Sequence, residues 1–235
     1  MEESAELSNV RCGGHVDAGG SGELPEADTR VVAAWRGWLE ALGTDAEAAL
    51  AASMAYRQLD GPGRDRWLLA VDQELERLRV PRIALYAPLL AVESDPTRRS
   101  AILTALGPAE ASATPRACAR GLRGCSGNGL RVAAIVTPLY LDFAQVMACG
   151  YRPSEGIEWV RHDPIVDRRK TPNHGDPIGG VTLESVTLKH LVDELAHAIV
   201  AHCRSGKSIP EALRAFADLF GGRTWPEPCQ LAGRG

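Results

Sequence analysis

The sequence has 235 residues, of which 45% are hydrophobic and 24% charged, proportions close to the average for globular proteins. A formal net charge of -4 gives no overall attraction to nucleic acid or to an anionic membrane. No apolar run reaches the roughly 18 residues that a membrane span needs. The acidic start also differs from the basic start of a signal peptide, so we expect a cytoplasmic protein. Frequent Arg, Ala, Gly and Pro with little Lys is typical of a GC-rich bacterial genome.

Residues 1–28 are predicted to form a disordered acidic arm. They contain the glycine pairs Gly13-Gly14 and Gly19-Gly20 and no apolar period. Such a segment cannot bury enough surface to offset the entropy lost on ordering. Acidic side chains outnumber basic ones in it, so we expect a solvated tail.

Residues 29–106 are predicted to form an all-α helical domain. Helix starts fall near positions 44, 62, 81 and 95, each marked by a capping residue or a proline. Thr44 and Glu47 have the spacing of a capping box. The first helix carries six apolar residues: Val31, Val32, Trp35, Trp38, Leu39 and Leu42. Short, evenly spaced helices predict hairpins arranged as a bundle or as a short solenoid-like stack.

Residues 107–129 are predicted to be a flexible basic linker, because Gly, Pro and Ser recur there without an apolar period. Arg116, Arg120, Arg123 and the adjacent Arg131 give it a positive charge. A weaker functional alternative is therefore nucleic-acid binding through this linker. The absence of interleaved aromatic residues counts against that alternative.

Residues 130–222 are predicted to form a small α+β domain with a short, mainly antiparallel sheet covered by one long and one short helix. Residues 132–137 are apolar and rich in β-branched side chains, which predicts a strand, and residues 157–162, which follow a turn at 152–156, are predicted to form a returning strand. Residues 139–151 fit a strand better than a helix. The long helix is expected near 187–203, with Leu195 at the centre of its apolar stripe. Residues 223–235 are a predicted tail.

Two His/Asp pairs lie at a strand end and in the loop after it: His162 with Asp163, and His174 with Asp176. Loop residues positioned by a rigid scaffold often bind metal ions or act as acids and bases. This pattern supports an alternative function, a metal-assisted hydrolase. Asp-Pro is also an ordinary turn-forming pair, and nothing in the loop requires the four side chains to converge.

Three polar residues of the long helix share one face, because His190, Glu194 and His197 lie at positions i, i+4 and i+7. This set is a weak candidate for a metal site. The helical wheel places it away from the apolar stripe, so a solvated polar face is the preferred interpretation. His202 projects toward the apolar side and is expected to be structural.

The sequence contains no nucleophile elbow, phosphate loop or other named catalytic motif. We therefore interpret the chain as a non-catalytic protein-interaction, adaptor or regulatory protein of a bacterial cytoplasm, and we lean against an enzyme. The expected partner is another protein, and no cofactor, metal or membrane is expected. The sequence does not indicate the oligomeric state.

Overall fold

The computed structural model describes residues 26–112, 119–214 and 216–220. Five helices are followed by an antiparallel sheet and two further helices, so the fold class is α+β, as predicted. The first five helices are α1 (Glu26–Ala41), α2 (Ala46–Gln58), α3 (Gly61–Glu74), α4 (Arg82–Leu90) and α5 (Pro96–Ser112). The predicted acidic arm up to residue 25 and the predicted tail at 223–235 lie outside the described residues.

The helix boundaries agree with the predicted starts and differ in detail. Asp45, rather than Thr44, caps α2, and its carboxylate accepts hydrogen bonds from the amides of Glu47 and Ala48. Helix α4 contains Pro88, although a proline in the interior of a helix usually breaks or kinks it. The first helical segment of α5 ends at the predicted position, because the backbone of Gly107 is not helical (φ 75°, ψ 160°), and a second helical segment follows it to Ser112.

One buried carboxylate joins the helices. The side chain of Glu93, in the connection between α4 and α5, is 0% exposed. It accepts hydrogen bonds from the Tyr56 hydroxyl at 2.7 Å and the Asp95 amide at 2.8 Å, and from the guanidinium groups of Arg98 at 2.9 Å and Arg64 at 3.2 Å. Since these donors come from α2, α3 and α5, a single charge fixes the relative positions of three helices.

The sheet has five strands in the order β4-β3-β2-β1-β7, and all its pairings are antiparallel. Its strands are β1 (Arg120–Cys125), β2 (Arg131–Pro138), β3 (Phe143–Arg152), β4 (Gly156–Asp167) and β7 (Glu184–Val186). A separate two-stranded hairpin consists of β5 (Pro177–Ile178) and β6 (Val181–Thr182). Residues 143–152 are thus a strand, as favoured by the sequence. Strand β4 continues past Pro164 to Asp167, because edge strands tolerate proline.

Helix α6 (Leu188–Arg204) and the short α7 (Glu211–Arg214) cover one face of the sheet. Leu195 is 0% exposed, which confirms the predicted stripe. His202 is buried: its Nδ1 accepts from the Ile157 amide at 3.2 Å, and its Nε2 lies 3.0 Å from the Ser208 carbonyl. The neutral ring with a proton on Nε2 satisfies both contacts, in line with a structural role.

The helical part and the sheet share a hydrophobic core. Tyr140, Phe143 and Ile165, which lie on or beside β3 and β4, belong to the same buried cluster as the side chains of the first five helices. The structure differs from the predicted linker at 107–129 in two places, because a second helical segment runs from the break at Gly107 to Ser112 and residues 120–125 form β1. Residues 113–118 of that linker lie outside the described residues. The division into a helical domain at 29–106 and an α+β domain at 130–222 stays a prediction.

Limited trypsin digestion tests the revised linker. Within the predicted linker, we expect the first cleavage after Arg116, because Arg120 and Arg123 belong to β1 and their side chains are bonded. The Arg120 guanidinium donates to Asn173 Oδ1 at 2.8 Å and Thr171 Oγ1 at 2.7 Å, and Arg123 donates to Glu194. The two fragments should stay associated through the shared core and elute together in gel filtration. Early cleavage after Arg120 or Arg123 would contradict this prediction.

Candidate functional site

The first predicted pair lies on β4, at one edge of the sheet. The His162 ring packs edge-on against Phe216, with ring centroids 5.0 Å apart. Burial lowers the pKa of His162, and the nearby charge of Asp163 opposes this effect. Its buried Nε2 has no hydrogen-bond partner among the described residues. Asp163 forms an ion pair with Arg161 at 3.0 Å. His162 is therefore a packed ring whose burial favours the neutral form.

The second predicted pair lies near the opposite edge of the sheet. His174 Nδ1 accepts from the amide of Ser185, on β7, at 3.3 Å, and Asp176 accepts from the Asn173 amide at 2.8 Å. Strands β4 and β7 are separated by four inter-strand spacings, roughly 19 Å. The structure therefore does not bring the two pairs together. In the described ranges, no group of three or more His, Cys, Asp and Glu is arranged to hold a metal ion.

The three polar residues of α6 are divided by the structure. His190 and His197 are exposed, as predicted, and His197 Nδ1 donates to the Asp193 carbonyl of its own helix at 2.7 Å. The prediction was wrong for Glu194, whose side chain is only 16% exposed. Its position lies about 60° from Leu191 around the helix, at the margin of the apolar stripe, so its carboxylate reaches the sheet.

Glu194 is the acceptor in a polar network between α6 and three strands. Its Oε1 lies 2.6 Å from Arg123 Nη1, 3.3 Å from Arg131 Nη1 and 3.1 Å from His190 Nε2. Its Oε2 accepts from the Tyr151 hydroxyl at 2.8 Å. Burial alone would raise the pKa of Glu194, but the Tyr151 hydroxyl and the two arginines outweigh it and lower the pKa.

This network stabilises the contact between α6 and the sheet, and it is a poor acid–base site. An ionised carboxylate has no proton to donate, and the lowered pKa of Glu194 makes it a weak base. Sequence reasoning missed Tyr151 and treated Arg123 and Arg131 as linker charges. Their engagement with Glu194, and that of Arg120 with the loop at 171–173, also weakens the nucleic-acid alternative.

A second feature is an apolar groove between α1 and α3, with a volume of about 580 Å³. The indole rings of Trp35 and Trp67 meet edge to face in its wall, with centroids 5.2 Å apart. Val31 is 67% exposed at the groove. The lining consists of Val31, Val32, Trp35, Leu59, Asp60, Gly63, Arg66, Trp67 and Ala70.

The sequence gave a partial signal for this groove. Six apolar residues were assigned to the first helix, yet only Leu39 and Leu42 are fully buried. Val31 and Trp35 lie toward the beginning of α1, where the described neighbours leave part of the apolar side uncovered. When the apolar side of a helix is wider than the area that neighbouring helices cover, the uncovered part indicates a binding surface.

No family model, curated protein or solved structure matches this chain. Within the described parts of the chain, no helix has both the length and the apolar character required to traverse a bilayer.

Proposed function

We propose that this chain is a non-catalytic interaction or adaptor protein of the bacterial cytoplasm, and that the groove between α1 and α3 binds a short apolar segment of a partner protein. The observation that carries the proposal is the groove itself, in which Trp35 and Trp67 form a wall beside the exposed Val31. Exposed apolar surface of this kind is costly in water and is typical of a binding site when polar groups surround it.

The side chains of the groove suit a protein interface. Tryptophan is enriched among the residues that contribute most to protein binding, and it combines a large apolar area with few rotatable bonds. Arg66 and Asp60 supply polar groups at the margin, as in interfaces with an apolar centre and a polar rim.

The groove is also preorganised. Trp67 contacts Trp35, Trp38 and Tyr56, with ring centroids between 5.2 and 6.2 Å apart. Tyr56 is 0% exposed and donates to the buried Glu93. The wall of the groove is thus anchored to the core of the helical part, so a ligand would not have to order these side chains on binding.

Site-specific photocrosslinking tests this function. A benzoyl-phenylalanine at position 31 of the full chain is expected to form an adduct with a discrete protein in bacterial cells. The control places it at position 103, because Leu103 is 44% exposed on α5 and lies outside the groove. Position 31 should give an adduct that position 103 does not.

A second substitution tests whether the adduct at position 31 depends on the groove. Ala70 lines the groove from α3 and is only partly buried, so Ala70→Arg should fill it without disturbing the core. The adduct at position 31 should be lost in this variant. Identical adduct patterns from positions 31 and 103, or an adduct that Ala70→Arg leaves unchanged, would refute binding through the groove.

A further inference from the structure

The groove between α1 and α3 carries opposite charges at two points along α3. Arg66 is exposed, and its Nε donates to the Pro62 carbonyl of the same helix. Among the described residues, no carboxylate forms an ion pair with it. Asp60 precedes α3, and one of its oxygens accepts from the Gly63 amide at 2.8 Å. The two charged residues are six positions apart in the sequence, which corresponds to about 9 Å along the helix axis. A well-matched ligand therefore carries an acid and a base on either side of an apolar pair.

The chain contains a segment of this chemistry before α1. Its sequence is Glu6-Leu7-Ser8-Asn9-Val10-Arg11. Leu7 and Val10 have the spacing of one helical face, and the flanking Glu6 and Arg11 would lie about 7.5 Å apart along a helix. The order of the groups, acid, apolar, apolar, base, complements a groove with Arg66 at one point and Asp60 at the other.

The covalent connection is long enough for this segment to reach the groove. Residues 12–25 join it to α1, and a glycine-rich chain of that length has a root-mean-square span of about 20 Å. Val31 lies about 8 Å along α1 from Glu26. A tether of this length gives an effective concentration in the millimolar range, so even weak contacts suffice for occupancy.

We infer that residues 6–11 occupy the groove of their own chain, with Glu6 on Arg66, Arg11 on Asp60, and Leu7 and Val10 against Trp35 and Trp67, in contrast to the solvated tail expected for these residues from the sequence. This inference rests on the proposed function and adds regulation to the same site. A partner protein then has to displace an internal competitor, so the net affinity of the groove is set by the difference between two binding free energies.

Hydrogen–deuterium exchange of the full chain, read by mass spectrometry, tests the occupancy. Residues 6–11 should exchange more slowly in the wild-type protein than in a synthetic peptide of the same sequence. The single reversals Glu6→Arg and Arg66→Glu should each accelerate this exchange about fivefold, the effect of one exposed ion pair. The double variant Glu6→Arg/Arg66→Glu restores the pair with its charges exchanged and should recover the slow exchange.

The matched control is Asp17→Arg, which changes the same charge in the stretch between the segment and α1 and should leave the exchange of residues 6–11 unchanged. The inference is overturned by wild-type exchange as fast as that of the peptide, by no recovery in the double variant, or by an equal effect of Asp17→Arg. Slow exchange that depends on protein concentration would assign the segment to a second copy and also overturn it.

The two proposals fail separately. A partner adduct at position 31 without slow exchange of residues 6–11 would support the proposed function and refute the proposed regulation by residues 6–11. An adduct that joins position 31 to residues 6–11 of the same chain would support the inference directly. Slow exchange of residues 6–11 without any partner adduct would support the contact within the chain and refute the adaptor function.

Discussion

Replacing Glu93 with glutamine is expected to lower the free energy of unfolding by roughly 3 kcal/mol. The carboxylate is fully buried and accepts from Tyr56, Arg64, Arg98 and the Asp95 amide. A neutral amide keeps the size of the side chain but presents hydrogen atoms to donors. It also removes the ion pair of Arg64, which is 15% exposed, and leaves Arg98, which is 21% exposed, with only the longer contacts to Asp65 at 3.6 Å and Asp95 at 3.9 Å.

Urea denaturation measures this change, and Glu40→Gln is the matched control. Glu40 is an exposed residue of α1. Its substitution should change the free energy of unfolding by no more than about 0.5 kcal/mol. If Glu93→Gln were as mild as Glu40→Gln, the buried carboxylate would not hold the helices together.

The same variant is expected to change the response to acid. Burial alone would raise the pKa of Glu93, but the Asp95 amide, Arg98 and Tyr56 bond to the ionised form and lower the pKa to about 2. The unfolded chain therefore takes up the proton first as the pH falls through about 4.5. The stabilisation by Glu93 is complete above that pH and is lost progressively toward pH 2. The stability difference between the wild-type protein and Glu93→Gln should accordingly be smaller at pH 3 than at pH 7.

The helical part was largely predictable because its boundaries are set by local chemistry. Pro62 and Pro96 lie in the first turns of their helices, where a missing amide proton costs nothing. The cap of α2 was displaced by one residue, from Thr44 to Asp45, because both side chains can accept from the first amides. Glu93 was not predictable, since its four donors come from separate parts of the chain.

Strand β1 was missed because its glycines were interpreted as linker residues. Their role in the structure is to allow close approach. A Cβ at Gly124 would lie 2.4 Å from the Thr182 carbonyl oxygen, and one at Gly121 would lie 3.1 Å from Leu191 Cδ2. Glycine in a strand often marks a close contact with another segment, but the sequence does not show which segment makes that contact.

The candidate site could not be predicted for a related reason. Residues that follow one another closely in sequence, such as His162 and His174, lie near opposite edges of the sheet because β7 pairs with β1. Conversely, Tyr151 and Glu194 meet although 43 residues separate them. Side-chain spacing fixes neighbours within one helix or strand, whereas strand order depends on the packing of the whole chain.

The largest effect in the sheet is expected at Leu195, where substitution by alanine should cost roughly 2–5 kcal/mol. Leu195 is 0% exposed and belongs to the cluster in which α6 covers Met147 and Cys149 on the sheet. Truncation removes buried methyl groups and leaves a cavity between two rigid layers, which can collapse only partly. Leu195→Met retains most of the volume and should cost less than about 1.5 kcal/mol.

Ala201→Ser is the control on the other side of α6, and we expect a change within about 0.5 kcal/mol. Ala201 lines an open cleft with Pro153 and Arg204, so an added hydroxyl can remain hydrated. Chemical denaturation of the three variants measures their free energies of unfolding and separates the effect of lost side-chain volume from the effect of position on α6. A large loss in Leu195→Ala, a small one in Leu195→Met and almost none in Ala201→Ser would identify cavity formation under α6 as the cause. Equal losses in Leu195→Ala and Ala201→Ser would mean that a different face of α6 contacts the sheet.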